Sequence, residues 1–368
     1  MNIGLFCPNW VGDLLMATPA LRAIRSGWPS ARITAVLRPP LADVLAGSGL
    51  VDDVLEHRPR SAAKASRGLG FARTLRSREF DLAVLFPNSF RSAWWAWLSG
   101  ARRRVGISRN GRGWLLTDRI AAPATREPVS ALDEYWRIAT ETLARIPVES
   151  NDHACAARGG MEAAVLPDDE RAFAAACDGV GWGPGERAGH VCLNPGGAFG
   201  AGKHWPNSYF AKLARRIVNE RGARVLVLCG PAERDQARAI ARDAESPLVQ
   251  SLAEATPSIG LTKAAIARAS LLVTTDSGPR HFAPAFGVPV VSLFGPTHIG
   301  WSDTRYRKEV PLQVPVDCGP CQQRTCPLGH HKCMTELTPE MVWGAVARFP
   351  TEEEFRAKER FPAEERAA

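Results

Sequence analysis

The sequence predicts an α/β protein of two domains, each built on a parallel β-sheet. The chain has 368 residues and is 45% hydrophobic, which is more than one core of ordinary size requires. Short apolar runs alternate with helical patterns, and this alternation is typical of parallel strands joined by crossover helices. It is interrupted between residues 155 and 190 and then resumes, so we expect a second α/β unit to begin there.

The clearest elements follow in chain order. In the first half, the predicted strands are 3–6, 33–37 and 82–86, with a helix at 16–28. In the second half, the predicted strands are 191–194, 225–229, 271–274 and 290–294, with helices at 208–221 and after residue 338. Gly, Pro and charged residues without periodicity at 179–189 indicate a connection or a surface segment. We therefore expect domains at 1–165 and 166–345 and a charged tail at 346–368.

Composition limits the location of the protein. The N-terminus carries no basic leader, and the apolar run 288–294 is far shorter than the roughly 20 residues that span a bilayer. We therefore expect a cytoplasmic protein without a membrane span. Nine cysteines in such a chain should be mostly reduced thiols. Five of them are scattered, namely Cys7, Cys155, Cys177, Cys192 and Cys229. Three of these lie in or beside apolar strand runs and are expected to be small core residues.

The positive charge lies in the first half of the chain. Residues 1–150 contain 21 Arg and Lys against 13 Asp and Glu, and the formal net charge of the whole chain is +8. Such a surface suits nucleic acid, a phosphorylated substrate or an acidic membrane face. Arginine-rich solvated helices are an equally good interpretation at this point.

A glycine-rich loop follows the first strand of the second half. Residues 194–205 read NPGGAFGAGKHW, and their glycines allow backbone N–H groups to approach an anion closely. Lys203 would add positive charge for a diphosphate. The loop lacks the Gly-Lys-Ser/Thr ending of a Walker A motif, and a plain flexible turn is the alternative.

Two further loops follow predicted strands at the edge where parallel sheets bind ligands. Glu233, after the strand 225–229, could accept hydrogen bonds from ribose hydroxyls, or it could serve only the dipole of the next helix. The segment 274–281 reads TTDSGPRH. Asp276 and Ser277 suit helix N-caps, Gly278 exposes amides to an anion, and His281 follows one turn later. A simple cap and a structural histidine are the alternative.

The order of these motifs resembles the lipopolysaccharide heptosyltransferase family, which is glycosyltransferase family 9. The N-terminal motifs NWVGD at 9–13 and TPAL at 18–21 match that family, as does PNSFRSA at 87–93. The resemblance spans roughly residues 3–343. It is strongest to the heptosyltransferase II branch, through the segment 87–92 and a cysteine-rich stretch near 320–333.

The resemblance implies the GT-B architecture of two facing Rossmann-like domains with parallel sheets. ADP-heptose would bind to 166–345, and the heptosyl-Kdo-lipid A core would bind to 1–165. The donor contacts implied are Lys203 to the diphosphate, Glu233 to the ribose, and Asp276, Ser277, Gly278 and His281 to the sugar diphosphate. The acceptor contacts implied are Asn88, Ser89 and Arg91. Arg280 and Pro284 depart from the small or apolar residues expected of the family.

Asp13 is the candidate catalytic base. Inverting transfer needs a base for the acceptor hydroxyl and positive charge for the departing diphosphate. Asp13 stands just after the first strand, beside a glycine, and its alternative role is the N-cap of a helix at 14–26. Lys203, the start of 276–281 and Arg280 would supply the positive charge. No Asp-x-Asp pair follows a strand, so we expect catalysis without a metal cofactor.

Arginines and tryptophans lie together after the motif 87–93. Arg102, Arg103, Arg104, Arg109 and Arg112 could join Arg91 in binding carboxylates and phosphates of the acceptor. Trp94, Trp95 and Trp97 suit a membrane surface or sugar stacking, but also a helix packed on its sheet. Peripheral contact with the inner membrane is therefore one of two interpretations.

Four cysteines form the pattern Cys318-x2-Cys321-x4-Cys326-x6-Cys333, with His330 and His331 inside it. Their number and proximity would suit a structural zinc site, although the spacing differs from paired zinc ribbons. A loop of reduced thiols is the alternative.

Two other classes of function compete with heptosyl transfer. Another GT-B enzyme, such as a heptosyltransferase I-like protein, a protein-acceptor transferase or an epimerase, would share the nucleotide half. A nucleic-acid-binding module would use the basic first half. We find no recognition helix or RNA-binding motif, so we expect no nucleic-acid partner.

Overall fold

The computed structural model describes residues 1–59, 63, 66–124, 127–150, 158–197 and 199–351, and it divides into two compact units. The first contains Met1–Ala164 and Gly300–Thr304, and the second contains Val165–Ile299 and the residues from Arg305 onward. Residues 300–304, placed by the sequence in the second domain, pack with the first unit, where Ser130 Oγ donates to Asp303 O (2.6 Å). Cys155 and the tail from residue 352 lie outside the described residues.

The first unit is a parallel sheet flanked by helices. Its strands are β1 Asn2–Phe6, β2 Arg32–Leu37, β3 Asp53–Glu56, β4 Leu82–Leu85, β5 Arg103–Ser108 and β6 Asp118–Ala121, in the spatial order β3-β2-β1-β4-β5-β6. Its α-helices are α1 Val11–Gly27, α2 Ala42–Leu45, α3 Gly68–Arg76, α4 Phe90–Leu98 and α5 Ala131–Arg145. The helix predicted at 16–28 begins five residues earlier than the sequence indicated.

The second unit repeats this topology. Its strands are β7 Val191–Asn194, β8 Val225–Val227, β9 Val249–Ser251, β10 Leu271–Thr275, β11 Val290–Phe294 and β12 Glu309–Gln313, in the order β12-β11-β10-β7-β8-β9. Its α-helices are α6 Pro167–Gly179, α7 Asn207–Arg221, α8 Arg234–Asp243, α9 Ile259–Ala267, α10 Phe282–Phe286, α11 Lys332–Thr335 and α12 Pro339–Val346.

Each sheet reverses its strand order between two central strands, and this fixes where a ligand can bind. In the first unit the reversal lies between β1 and β4, and in the second it lies between β7 and β10. The loops that leave these strands run to opposite sides of the sheet, which opens a crevice at the carboxyl ends. The Pro-Gly-Gly loop follows β7, and Asp276 follows β10.

The central strands are apolar because helices cover both of their faces. Residues of β4, β7, β10 and β11 are buried throughout. Within the residues that the structure describes, no helix combines the length and the apolar character needed to cross a bilayer.

Candidate active site

One buried carboxylate joins three loops at the carboxyl edge of the second sheet. Asp276 Oδ2 accepts hydrogen bonds from Lys203 Nζ (2.5 Å) and Thr297 Oγ1 (2.7 Å). Lys203 Nζ also donates to the main-chain oxygen of Asp276 (2.9 Å). The three residues come from the loops after β7, β10 and β11, so this ion pair fixes the loops to one another.

The ionisation of Asp276 depends on these partners. Burial alone would raise the pKa of its carboxyl group. The charges of Lys203 and Arg280, with hydrogen bonds from Lys203 and Thr297, outweigh burial and lower the pKa to about 2. These partners therefore favour the ionised carboxylate.

Arg280 is a buried structural cation. Its Nε donates to Glu309 Oε1 (2.7 Å) and Ser292 Oγ (3.2 Å), and its guanidinium lies 4.8 Å from the centre of the Phe294 ring. Its Nη1 lies 3.5 Å from Asp276 Oδ1. The departure from the family pattern at this position is thus balanced by Glu309 on β12, and little of the charge faces solvent.

His281 lies in the same buried layer and is neutral. Burial, followed by the charge of Arg280, lowers its pKa to about 3. Its Nδ1 is buried and has no hydrogen-bond partner among the described residues. The segment Gly278–His281 forms a single 3-10 turn, and α10 after it has five residues. The anion site expected at the start of a helix therefore lies at this turn, and the helix after it is short.

Asn194, at the end of β7, connects the Pro-Gly-Gly loop to the loop after β10. Its Nδ2 donates to Ser277 Oγ (2.8 Å) and Thr274 Oγ1 (2.9 Å) and lies 3.3 Å from Gly196 O. This role of Asn194 was not predicted from the sequence. An asparagine that directly ends a buried strand beside a glycine-rich loop was the available signal.

Glu233 lies against the Pro-Gly-Gly loop. A Cβ atom at Gly196 would be 2.6 Å from Glu233 Cγ, so only glycine permits this approach. Glu233 occupies the N-cap position of α8 without forming a side-chain capping hydrogen bond. Its carboxylate is therefore directed to the glycine loop.

The cysteine-rich loop supports the loop that carries Lys203. Gly202 N donates to Arg324 O (2.7 Å), and His331 Nε2 lies 2.8 Å from Gly202 O. Gln322 N also donates to Pro296 O (2.8 Å). The cysteine-rich loop therefore contacts both the loop after β7, which carries Lys203, and the loop after β11, which carries Thr297.

The four thiols of that loop line one small cavity with His330 and His331. Cys318 Sγ lies 4.0 Å from His330 Nε2, and His331 N donates to Cys326 Sγ (3.4 Å). Across the described ranges, no three His, Cys, Asp or Glu side chains are arranged to hold a metal ion. The described cysteines are free thiols.

In the first unit, Asp13 lies in the first turn of α1. The helix begins at Val11 with Trp10 as its N-cap, so the alternative that Asp13 caps the helix is wrong. The side chain is half-buried. Burial, together with the negative charges of Asp13 and Glu134, raises the pKa of Tyr135 on α5.

The segment predicted to bind the acceptor is shaped by Arg112. This fully buried guanidinium donates to Pro87 O, to Asn88 Oδ1 (3.1 Å) and to Ser92 Oγ (3.1 Å), and burial lowers its pKa to about 10. Asn88 Nδ2 donates in turn to Glu134, and Ser89 caps α4 by accepting from Ser92 N (3.2 Å). Arg112 therefore holds the loop and is not available to an acceptor.

The other arginines of the expected cluster also have partners inside the protein. Arg103 forms an ion pair with Asp118. Arg102 Nη1 lies 3.4 Å from Asp81 Oδ1, and Arg109 Nη1 lies 3.8 Å from Glu134 Oε2. Arg104 donates to the main-chain oxygens of Leu115 and Ala101. Arg91, by contrast, is exposed and forms no ion pair with a described acidic side chain.

Arg91 lines a cavity of about 250 Å³ in the first unit. Arg38 follows β2, His57 follows β3, and both line the same cavity, whereas no acidic residue does. Burial and the charges of Arg38 and Arg91 lower the pKa of His57. The cavity is thus positive and open to an anion. Arg38 and His57 were not predicted as site residues, although each directly follows a strand at the ligand-binding edge.

The model of Glycosyltransferase family 9 (heptosyltransferase) matches residues 69–332. Lipooligosaccharide heptosyltransferase 2 of Campylobacter jejuni is 25% identical over 95% of this chain and 100% of its own length. The structure of E. coli ADP-heptose heptosyltransferase II superposes with a TM-score of 0.74 at 21% identity, covering 95% of this chain and 98% of that one. An E. coli heptosyltransferase with ADP-2-deoxy-2-fluoro heptose superposes with a TM-score of 0.68 at 17% identity, covering 95% and 99%. The expected GT-B class is confirmed.

We predict that Asp276→Asn destabilises the second unit strongly. The change leaves Lys203 and Arg280 without their shared carboxylate, and breaking a buried ion pair costs about 3–5 kcal/mol. Urea unfolding at pH 7 should show a loss of that size in the free energy of unfolding. The pKa of Asp276 falls from 3.8 when unfolded to about 2 when folded. Its contribution to stability is therefore complete above about pH 5 and is lost progressively as the pH falls from there through about 2, so the difference between variant and wild type should be constant between pH 5 and 8.

Asp235→Asn is the matched control, since this carboxylate lies at the start of α8 and is 98% exposed. It should change the free energy of unfolding by less than about 0.5 kcal/mol. Equal effects of the two substitutions would contradict the role given to Asp276.

Proposed function

The chain belongs to glycosyltransferase family 9, and we propose that it moves heptose from ADP-heptose to a lipopolysaccharide inner core that already carries one heptose. It is a glycosyltransferase. The observation that carries the proposal is the convergence of Lys203, Glu233 and the segment 276–281 at one sheet edge, in a chain with this family match. We further propose that it works at the cytoplasmic face of the inner membrane, where such an acceptor would be anchored.

We propose that the donor binds over the loops after β7, β8 and β10. Glu233 would accept hydrogen bonds from the ribose hydroxyls, because its carboxylate already lies against the loop at Gly196. The amides of Gly197 and Gly278, with Ser277 Oγ, would bind the diphosphate. Lys203 shares its charge with Asp276, so it would supply positive potential to the diphosphate from a fixed position.

His281 fits the donor site as a neutral group. Its low pKa favours the uncharged imidazole at neutral pH. The neutral ring can form hydrogen bonds with a ligand without repelling Lys203 and Arg280. The buried Nδ1 without a described partner is consistent with a contact completed by the sugar diphosphate.

On the acceptor side, the cavity lined by Arg38, His57 and Arg91 suits a carboxylate or phosphate of the Kdo-lipid A core. A guanidinium binds such groups through two parallel hydrogen bonds, and two guanidiniums without acidic partners make the cavity selective for anions. Asn88 and Ser89, which we expected to touch the acceptor, would act mainly by holding the start of α4, where Arg91 lies.

The proposed reaction is a single displacement with inversion. The acceptor hydroxyl oxygen attacks the anomeric carbon of heptose, and Asp13 takes the hydroxyl proton. The bond from that carbon to the diphosphate oxygen breaks, and ADP leaves with the bonding electrons. Lys203, held in position by Asp276, and the amides of Gly197 and Gly278 would stabilise the ADP formed, so the proposal needs no divalent metal.

Asp13→Asn tests the base. The amide has nearly the same shape but cannot accept a proton, so we expect kcat to fall by roughly 10²–10⁴-fold. ADP affinity, measured by calorimetry, should stay within about twofold, because the nucleotide contacts proposed lie elsewhere in the sequence. Asp43→Asn, which removes an exposed carboxylate from the first turn of α2, is the control and should retain full turnover. Wild-type turnover by the Asp13 variant would exclude it as the base.

Removal of metal ions tests the leaving-group proposal. We expect turnover in excess EDTA to stay within about twofold of the untreated enzyme, since protein charges replace the metal. Restoration of a lost activity by Mg²⁺ alone would show that a metal ion is required after all.

Defined acceptors test the overall assignment. Mass spectrometry should detect the gain of one heptose on a core that already carries a heptose, and no gain on a heptose-free Kdo-lipid A. A gain on the heptose-free acceptor instead would indicate heptosyltransferase I-like activity. No gain on either would point to a different acceptor class, such as a protein.

A further inference from the structure

The outer face of α4 carries a continuous aromatic surface. Phe90, Trp94 and Trp97 follow helical spacing, and they are 44%, 38% and 44% exposed. Ring centres lie 6.3 Å apart for Phe90 and Trp94 and 5.1 Å apart for Trp94 and Trp97. Trp114, 62% exposed, joins them at 6.1 Å from Phe90. We call these four residues the aromatic patch.

The aromatic patch does not serve the packing of α4 on its sheet. The inner face of the helix is already buried through Ser92, Ala93 and Ala96. Trp95 is directed inward, where its ring lies 5.2 Å from Phe71 and 5.1 Å from His57. Trp95 therefore packs in the core, as expected if the helix packs on its sheet, whereas Trp94 and Trp97 lie on the surface. A contiguous exposed apolar surface of this kind marks an interaction site.

The charge around the aromatic patch is positive. The neighbouring α3 exposes Leu69, Arg73 and Arg76 at the same spacing that α4 uses for its aromatic residues, and neither helix contains an acidic residue. Arg67 precedes α3, and Arg91 lies in the first turn of α4. No described acidic side chain pairs with any of these arginines, in contrast to Arg22, Arg25, Arg32 and Arg103.

We infer that α3, α4 and the aromatic patch dock on the headgroup layer of an anionic lipid bilayer. Tryptophan favours this layer because its ring is apolar and its N–H is polar, and arginine binds lipid phosphates there. The inference rests on the proposed function in one respect, namely that the acceptor is lipid-anchored. Arg91 connects the two, because it stands next to Phe90 and lines the anion cavity. The cavity thus lies beside the surface at which a lipid-anchored acceptor would arrive.

Vesicle binding without donor or acceptor tests the inference. Wild-type protein should sediment with vesicles containing phosphatidylglycerol, bind pure phosphatidylcholine vesicles at least tenfold more weakly, and be released by 0.5 M NaCl. The triple variant W94S/W97S/W114S should bind anionic vesicles at least tenfold more weakly than wild type. Trp301→Ser is the matched control, because Trp301 is 54% exposed but lies outside the aromatic patch. It should bind as wild type does.

Circular dichroism and ADP binding of the triple variant establish that it is folded. Equal vesicle binding by the triple variant and W301S, or no binding by wild type, would overturn the inference. A wild-type dimer that ignores vesicles and dissociates in the triple variant would overturn it too, and would assign the aromatic patch to a second copy of the chain.

Two acceptors separate this inference from the proposed function. With a deacylated, water-soluble core acceptor, the triple variant should turn over as wild type does. With the same core on vesicle-embedded lipid A, its turnover should fall at least tenfold. Equal loss on both acceptors would overturn the docking role in favour of direct acceptor binding. If wild type transfers heptose to neither acceptor, the proposed function fails, and the vesicle-binding result still decides the inference.

Discussion

The buried ion pair between Lys203 and Asp276 is the interaction on which the second unit's ligand-binding edge depends. Three loops that are far apart in sequence meet at this carboxylate, which also accepts from Thr297. Either charge would be destabilising if it were buried without the other. Because separating the loops would leave a buried charge unpaired, the ion pair holds them together. A phosphate would therefore meet dipoles and charges that are already oriented, which avoids reorganisation during the reaction.

Each unit fixes its ligand-edge loops with one buried charged side chain, and the two side chains have opposite charges. Both units have the same strand order, and in both the loops next to the topological switch need a fixed shape. In the second unit a carboxylate collects donors from three loops. In the first, the buried guanidinium of Arg112 donates hydrogen bonds to several oxygen atoms of the segment after β4. Local polar networks of this kind let glycine-rich or irregular chain stay rigid without regular secondary structure.

The sequence predicted the central strands and missed those farther out. β1, β2 and β4 are apolar because helices cover both faces, whereas β3 carries Asp53 and Glu56, and β5 begins with two arginines. At the site, the residue types and their loops could be predicted. Their partners could not, because Arg280 with Glu309, or Arg112 with Pro87, depends on where loops from different strands meet. Arg38 and His57 form a cavity only through the register of β2 and β3.

The support that the cysteine-rich loop gives to Gly202 has a consequence for how the two segments tolerate change. Arg324 contacts Gly202 through its main-chain oxygen, and Gln322 contacts Pro296 through its main-chain nitrogen. Side chains on that loop can therefore be exchanged while these bonds persist, whereas a one-residue insertion would shift every bond out of register. The opposite holds for Gly202, where a Cβ atom would lie 2.7 Å from Gln323 O. The cysteine-rich loop is therefore constrained in its length, and position 202 is constrained to glycine. Substitutions should accumulate in the first segment and be rare at the second.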